Sequence, residues 1–200
     1  MVEKPHESQI GGETVKLYHF TDTARLPWII HDGELKPGRS RIGGFPDPDF
    51  LWATTQHQGD RTASGGTTGY RDGLTRLVRI SLHVEDFTPW RQATKQHPDW
   101  TDDHVARLEA SAIQAGVSRA MMEGWYCRTS PLALERVIEI ETRSWANNTW
   151  KPVTLSDDVV IYAKTADGRV AAGLEIGGAR FFSERVEGAD GRRGYSAFRS

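Results

Sequence analysis

Three stretches of the chain alternate between apolar and polar side chains. In residues 74–84 every second position from 78 onward is apolar, and residues 135–142 and 159–176 have a similar pattern. Because successive side chains of a strand point to opposite faces of a sheet, this period predicts strands with one buried face. In the third stretch Asp167 and Gly168 separate two such runs, which predicts a β-hairpin.

Shorter aromatic and β-branched runs predict further strands. They lie at residues 14–20, 50–55, 124–127 and 180–186.

Two stretches have apolar residues at helical spacing. Residues 24–31 form the first, and Gly33 is expected to end it in the left-handed conformation. The second runs from residue 100 to about residue 123, with Thr101 or one of the aspartates after it, Asp102 and Asp103, as the candidate N-cap.

Three other stretches lack either period and are predicted to be loops. They are residues 40–49, 56–73 and 88–98, and the first two are rich in glycine. A loop as long as residues 56–73 is expected to be mobile and is typical of a functional or a disordered segment.

The order of these elements predicts an α+β fold. Strands outnumber helices, and many connections are too short for parallel crossovers. We expect a core at residues 13–152, a C-terminal β-hairpin extension at 153–186 packed on the same domain, and flexible termini at 1–12 and 187–200.

Composition narrows the class of protein. The 200 residues fit one domain, and the net charge of −2 creates no overall field that attracts nucleic acid or an anionic membrane. The single cysteine, Cys127, excludes a disulfide framework and a cysteine-rich zinc site. No signal peptide or apolar run of ~20 residues is present, so we expect a cytoplasmic protein without a membrane span. We also expect a monomer.

Common catalytic motifs are absent from the sequence. It contains no phosphate-binding loop, dinucleotide fingerprint, zinc-protease motif or nucleophile elbow. The seven histidines are scattered singly without metal-ligand spacing, so no metal is expected.

Three segments remain as a pattern when taken together. They are Tyr18-His19-Phe20-Thr21 with the later Gly33-Glu34-Leu35-Lys36-Pro37-Gly38, Leu51-Trp52-Ala53-Thr54-Thr55, and Glu139-Ile140-Glu141. Over residues 17–142 they resemble the motif strands of ADP-ribosyltransferase-fold proteins, above all the rifampicin-modifying and DNA-modifying toxin transferases. The resemblance implies a split, mostly antiparallel β core and an NAD-dependent ADP-ribosyltransferase.

The resemblance also implies how NAD, as the substrate, is bound. His19 contacts the ribose with Thr21 beside it. Trp52 takes the aromatic position that packs on nicotinamide, on the same strand as Thr54, although the family usually has tyrosine there. Arg79, on the polar side of its own strand, is a candidate to clamp the pyrophosphate as a bidentate donor.

The catalytic residues implied by the resemblance are His19 and a glutamate. Cleavage of the nicotinamide–ribose bond passes through an oxocarbenium-like centre, which a carboxylate stabilises while it orients or deprotonates the nucleophile. Glu139 and Glu141 are the implied acids, and Glu175 in the hairpin is a third candidate.

The acceptor and two other functions stay open. The acceptor is a nucleic acid, a protein or a small molecule, and a toxin, a phage effector and an antibiotic-modifying enzyme all fit the chain length. One alternative is a non-catalytic nucleotide- or protein-binding module on the same fold. The other is an RNA 2′-phosphotransferase, whose phosphate-binding candidates are Arg39, Arg41, Arg71 and Arg79.

Overall fold

The computed structural model describes residues 15–38, 44–46, 50–60, 62, 69–154, 160–164, 169–187 and 193–198. These residues form a strand-rich structure with few helices, which confirms the α+β class.

The strands, in chain order, are β1 (Lys16–Asp22), β2 (Glu34–Leu35), β3 (Leu51–Thr54), β4 (Leu77–His83), β5 (Thr88–Pro89), β6 (Trp125–Arg128), β7 (Leu132–Ala133), β8 (Val137–Arg143), β9 (Lys151–Pro152), β10 (Val160–Lys164), β11 (Val170–Ile176), β12 (Ala179–Glu187) and β13 (Arg193–Phe198). The α-helices that lie wholly within the described residues are α1 (Leu26–Asp32), α2 (Trp90–Gln96), α3 (Asp102–Gln114) and α4 (Arg119–Met122). Two 3₁₀ turns, Val84–Asp86 and Leu134–Arg136, lead into β5 and β8.

The main sheet is antiparallel and has seven strands, in the order β5-β6-β3-β1-β4-β8-β9. Its central strand β1 pairs very unequally with its two neighbours. Seven residue pairs join β1 to β4, whereas Tyr18 and Thr54 form the single pair that joins β1 to β3. The sheet is therefore firmly joined on one side of β1 and barely joined on the other.

One face of this sheet is covered by α1 and a second sheet. The second sheet is antiparallel, in the order β10-β11-β12-β13. Apolar side chains of the two sheets form one core, among them Leu17, Ile80, Leu174 and Phe181. Because burying a large aliphatic side chain stabilises by about 1.5–3 kcal/mol, this shared core joins both sheets into one unit.

Polar contacts reinforce the join between α1 and the second sheet. The indole N–H of Trp28 donates to the Ser183 hydroxyl at 3.0 Å. Arg185 donates to both carboxylate oxygens of Asp32 at 3.0 Å. The hairpin predicted from Asp167-Gly168 is confirmed by the pairing of β10 with β11.

Among the described residues, three helices pack on one end of the opposite face. A second core packs α2, α3 and α4 on β3 and β6, and it is rich in aromatic rings. Its tryptophans are Trp52, Trp90, Trp100 and Trp125.

Two predicted helix boundaries are confirmed. Gly33 follows α1 with φ of 72°, a backbone conformation that glycine adopts without a steric cost. Thr101 caps α3, since its hydroxyl accepts from the His104 backbone N–H while the His104 ring accepts from the Thr101 N–H. This reciprocal arrangement satisfies two N–H groups at the helix start.

Several local predictions need correction. The predicted loop at 88–98 contains β5 and α2, because Trp90, Ala93 and Thr94 recur at helical spacing and are buried. The helix predicted to run to residue 123 stops at Gln114, and after Gly116, with φ of 87°, a separate short helix α4 begins.

The chain ends also differ in part from the sequence prediction. The segment 187–200 was expected to be flexible, yet β13 pairs with β12 over six residue pairs. Residues 1–12 and most of the predicted loop at 40–49 lie outside the described residues.

Candidate functional site

A histidine ring lies where β1 and β3 separate. Nδ1 of His19 is 2.8 Å from the backbone carbonyl oxygen of Trp52. A carbonyl only accepts hydrogen bonds, so Nδ1 carries the proton in this contact. In the neutral ring Nε2 is then an acceptor, and it has no hydrogen-bond partner among the described residues.

The surroundings of His19 favour its neutral form. Burial lowers the pKa of His19 below its ordinary value of 6.5, and the positive charge of Arg25 lowers it further, against the Trp52 carbonyl, which raises it. Desolvation acts in this direction because a buried imidazolium loses its hydration. At pH 7 the side chain therefore offers an unprotonated Nε2.

A cavity of about 310 Å³ opens beside this ring. It is lined by Tyr18, His19, Phe20, Trp52, Ala53, Thr54, Thr62, Leu108 and Trp125. The structure thus brings together three of the residues singled out in the sequence: His19, Trp52 and Thr54. Its volume and aromatic lining are typical of a site for a small organic ligand.

The aromatic wall of the cavity is built by the second core. The rings of Trp52 and Trp125 meet edge to face, with centroids 6.1 Å apart. This geometry is a favourable one for aromatic pairs. Beside them the Thr54 hydroxyl accepts from the Gln56 backbone N–H at 3.1 Å.

A buried carboxylate stands directly behind two lining residues. Asp60 is 4% exposed. One of its oxygens accepts from the Trp125 indole N–H at 2.8 Å, and the other accepts from the backbone N–H and the hydroxyl of Thr62 at 2.9 and 2.5 Å. Asp60 therefore connects two parts of the cavity wall.

Glu141 forms an ion pair with Arg79, whose guanidinium lies 5.3 Å from the ring centre of the lining residue Tyr18. Oε2 of Glu141 accepts from Nε of Arg79 at 2.8 Å and from Nη2 at 2.5 Å, and both side chains are largely buried. Arg79 also donates to the His57 carbonyl at 2.5 Å, and its guanidinium lies 4.5 Å from the ring centre of Trp150. Arg79 therefore holds a carboxylate and a backbone carbonyl in this structure.

Glu139 lies exposed on the same strand. Along the ladder it is paired with Ser81, which is paired with Tyr18, and residues paired in this way share a face of the sheet. At about 4.8 Å per strand, Glu139 is about 10 Å from the backbone of Tyr18, a lining residue. Glu139 and Glu141 therefore flank the cavity and do not line it.

The remaining candidates have other positions. Thr21 is half-buried on β1 opposite Val78, outside the cavity lining. Glu175 is exposed in the second sheet, 3.3 Å from Arg180.

The arginines proposed for a phosphate site do not converge among the described residues. Arg79 pairs with Glu141, and the Arg71 guanidinium lies 5.3 Å from the Trp145 ring centre. Arg39 and Arg41 lie outside the described residues.

Sequence reasoning assigned no site role to four residues that form or support the cavity. Tyr18 precedes His19 in the histidine motif, and Trp125 lies in the predicted strand at 124–127. Thr62 and Asp60 fell in a predicted loop, where the Asp-x-Thr spacing is the signal that indicates a local side-chain cap.

The described part of the chain shows neither a metal-binding cluster nor a membrane-spanning helix. No cluster of three or more histidine, cysteine, aspartate or glutamate side chains there is placed to hold a metal ion. No described helix combines the length and apolar character needed to cross a membrane.

Comparison with known proteins found no match to this chain among family models, curated proteins or solved structures. The geometry around His19 is therefore the main guide to function.

Proposed function

We propose that the cavity beside His19 binds the nicotinamide–riboside end of NAD and that the chain transfers ADP-ribose from NAD to a nucleophile. The observation that carries the proposal is the hydrogen bond from His19 Nδ1 to the Trp52 carbonyl. This hydrogen bond fixes Nε2 as an acceptor at the point where β1 and β3 separate. The resemblance of the segments around His19 and Trp52 to ADP-ribosyltransferase motif strands supports the same function.

The cavity suits that end of the dinucleotide by size and lining. A volume of about 310 Å³ accommodates a nicotinamide ring with its ribose and leaves the pyrophosphate and adenosine outside. The Trp52 ring provides an apolar surface for nicotinamide. His19 Nε2 accepts a hydrogen bond from a ribose hydroxyl.

The proposed transfer has a simple balance of bonds. The bond from C1′ of the ribose to the nicotinamide nitrogen breaks, and its electron pair leaves with nicotinamide, which becomes neutral. A lone pair of the acceptor nucleophile then forms the new bond to C1′. The proton of the nucleophile passes to a carboxylate acting as general base.

Glu139 is the better placed of the two glutamates for that base. Glu141 accepts two charge-assisted hydrogen bonds from Arg79, so its carboxylate is already held by that guanidinium. Glu139 is exposed and makes no ion pair with any described residue. Both glutamates lie on the face of the sheet that carries the lining residues Tyr18 and Phe20, so exposure and the absence of an ion pair among the described residues distinguish Glu139.

The test is transfer of label from NAD to protein, DNA, RNA and small-molecule acceptors. We expect wild type to release nicotinamide and label one class of acceptor. Loss of a general base lowers kcat by about 10²- to 10⁴-fold, so Glu139→Gln is expected to fall in that range. Glu135→Gln, an exposed glutamate before β8, is the matched control and retains wild-type kcat. Transfer by Glu139→Gln at the wild-type rate contradicts the assignment of the base.

One observation favours a second function, a nucleotide-binding module without turnover. No carboxylate side chain among the described residues lines the cavity. Binding of NAD by wild type, without nicotinamide release in the presence of any of the four acceptor classes, supports this module and contradicts the transferase.

A further inference from the structure

One described segment contacts strands on both sides of the separation between β1 and β3. We call residues 57–60 the strap. On one side, the His57 carbonyl accepts from Arg79 on β4, and the Gln58 side-chain oxygen accepts from Arg143 on β8 at 3.2 Å. On the other side, Asp60 accepts from Trp125 on β6. The strap thus spans the separation between β1 and β3.

Asp60, the last residue of the strap, fixes the direction of the Thr62 hydroxyl beside the cavity. The Thr62 hydroxyl donates its only proton to Asp60 at 2.5 Å, and the Thr62 backbone N–H donates to the same oxygen. Thr62 is exposed and lines the cavity. With its proton committed to Asp60, Oγ1 of Thr62 presents only lone pairs to a ligand.

A buried donor on the oxygen that does not meet Thr62 fixes the orientation of the Asp60 carboxylate. Its second oxygen accepts from the Trp125 indole N–H at 2.8 Å, and Trp125 is itself buried. The carboxylate therefore has donors on both oxygens and little room to rotate away from Thr62.

From this geometry we propose that Asp60 is a positioning residue that makes Thr62 a hydrogen-bond acceptor for the ligand. The cavity then has two acceptors, Thr62 Oγ1 and His19 Nε2, and selects a ligand with hydrogen-bond donors on two sides. This inference rests on the proposed NAD site. In NAD the donor that meets Thr62 is the carboxamide N–H or a ribose hydroxyl.

The test is NAD affinity, measured by calorimetry, across a small set of variants. Thr62→Val removes the acceptor. In Asp60→Asn an amide N–H₂ replaces one of the two oxygens that accept from Thr62 and Trp125, so the side chain no longer accepts from both and the Thr62 hydroxyl loses its charged acceptor. A typical hydrogen bond contributes about 0.5–1.5 kcal/mol, so each change is expected to raise Kd about 2- to 10-fold.

The double variant separates positioning from a purely structural role. If Asp60 acts through Thr62, Asp60→Asn in a Thr62→Val background has no further effect on Kd. Thr62→Ser keeps the hydroxyl and restores wild-type affinity. Asp103→Asn, an exposed aspartate on α3, is the matched control for loss of a carboxylate.

The nicotinic acid analogue of NAD, with a carboxylate in place of the carboxamide, identifies the donor. If Thr62 meets the carboxamide, Thr62→Val weakens NAD and leaves the analogue unchanged. If Thr62 meets a ribose hydroxyl, the variant weakens both ligands equally.

Failure of the inference and failure of the proposed function give different results. If wild type binds no NAD, both are overturned. If wild type binds NAD but Asp60→Asn and Thr62→Val bind it equally well, or if their effects on Kd simply add, only the role of Asp60 is overturned. Denaturant unfolding of each variant confirms that it is folded during the titration.

Discussion

His19 and the Arg79–Glu141 pair differ in how far their polar groups are already engaged in hydrogen bonds. His19 makes one hydrogen bond, to the Trp52 carbonyl, which leaves Nε2 directed at no described partner. Arg79 and Glu141 are bound to each other, and Arg79 also contacts the His57 carbonyl and the Trp150 ring. A polar group with unused hydrogen-bonding capacity at a cavity is available to a ligand, whereas a buried pair held by mutual hydrogen bonds stabilises the structure.

The largest expected effect comes from breaking the Arg79–Glu141 pair. Arg79→Ala leaves Glu141 buried without its partner, and removal of one member of a buried pair costs about 3–5 kcal/mol. Denaturant unfolding measures this loss. Arg136→Ala is the matched control, because its ion pair with Asp86 is half-exposed and such pairs contribute about 0–1 kcal/mol.

A double variant sharpens this interpretation. Arg79→Met with Glu141→Leu removes both charges and is expected to recover most of the stability lost in Arg79→Ala. If Arg79→Ala costs less than about 1 kcal/mol, the pair is not the structural element described here.

A smaller effect is expected at the indole N–H that holds Asp60. Trp125→Phe removes a donor from a buried carboxylate, whereas Trp100→Phe removes an indole N–H that has no hydrogen-bond partner. Both changes delete similar ring area. Because an unsatisfied buried group costs about 1–3 kcal/mol, Trp125→Phe is expected to lower the free energy of unfolding by that much more than Trp100→Phe. Equal losses contradict the proposed support of Asp60.

The pH dependence of stability tests the environment of His19. Its pKa is lowered in the folded protein, chiefly by burial, so below pH 6.5 the unfolded chain binds more protons at this residue than the folded chain. The stability that neutral His19 contributes is present above pH 6.5 and is lost as the pH falls toward its folded pKa. Unfolding of wild type and His19→Gln between pH 7.5 and 5.5 measures this. A drop of the same size in both proteins contradicts a desolvated His19.

The smallest effect on stability is expected at Glu139. The side chain is exposed, and substitutions at such positions change the free energy of unfolding by less than about 0.5 kcal/mol. Thermal unfolding of Glu139→Gln checks this. A larger loss shows that Glu139, like Glu141, has a structural partner, and it removes the contrast between the two glutamates.

Much of the fold could be predicted from local pattern. The alternation in β4 and β8 and the Asp-Gly turn depend on neighbouring residues, and the structure has the strands and hairpin they indicate. Helix α2 was missed because its inward residues are only Trp90, Ala93 and Thr94, too few to give a strong helical period in seven residues. Strand β13 was missed because its stability comes from pairing with β12, not from its own composition.

The site was predictable to a smaller extent. The motif segments identified His19, Trp52 and Thr54, which meet at one cavity. The environment of the glutamates depends on which strand lies beside β8, and strand order is non-local. Pairing of β8 with β4 brings Arg79 directly opposite Glu141, and no spacing in the sequence encodes that contact.

The most direct test of the central claim is calorimetric titration of wild type and His19→Ala with NAD at pH 7.5. We expect wild type to bind one NAD and His19→Ala to bind about 2- to 10-fold more weakly, as loss of a hydrogen bond inside a cavity predicts. His83→Ala, at a half-buried histidine of β4 outside the cavity lining, is expected to bind like wild type. No binding by wild type, or equal binding by wild type and His19→Ala, contradicts an NAD site at His19.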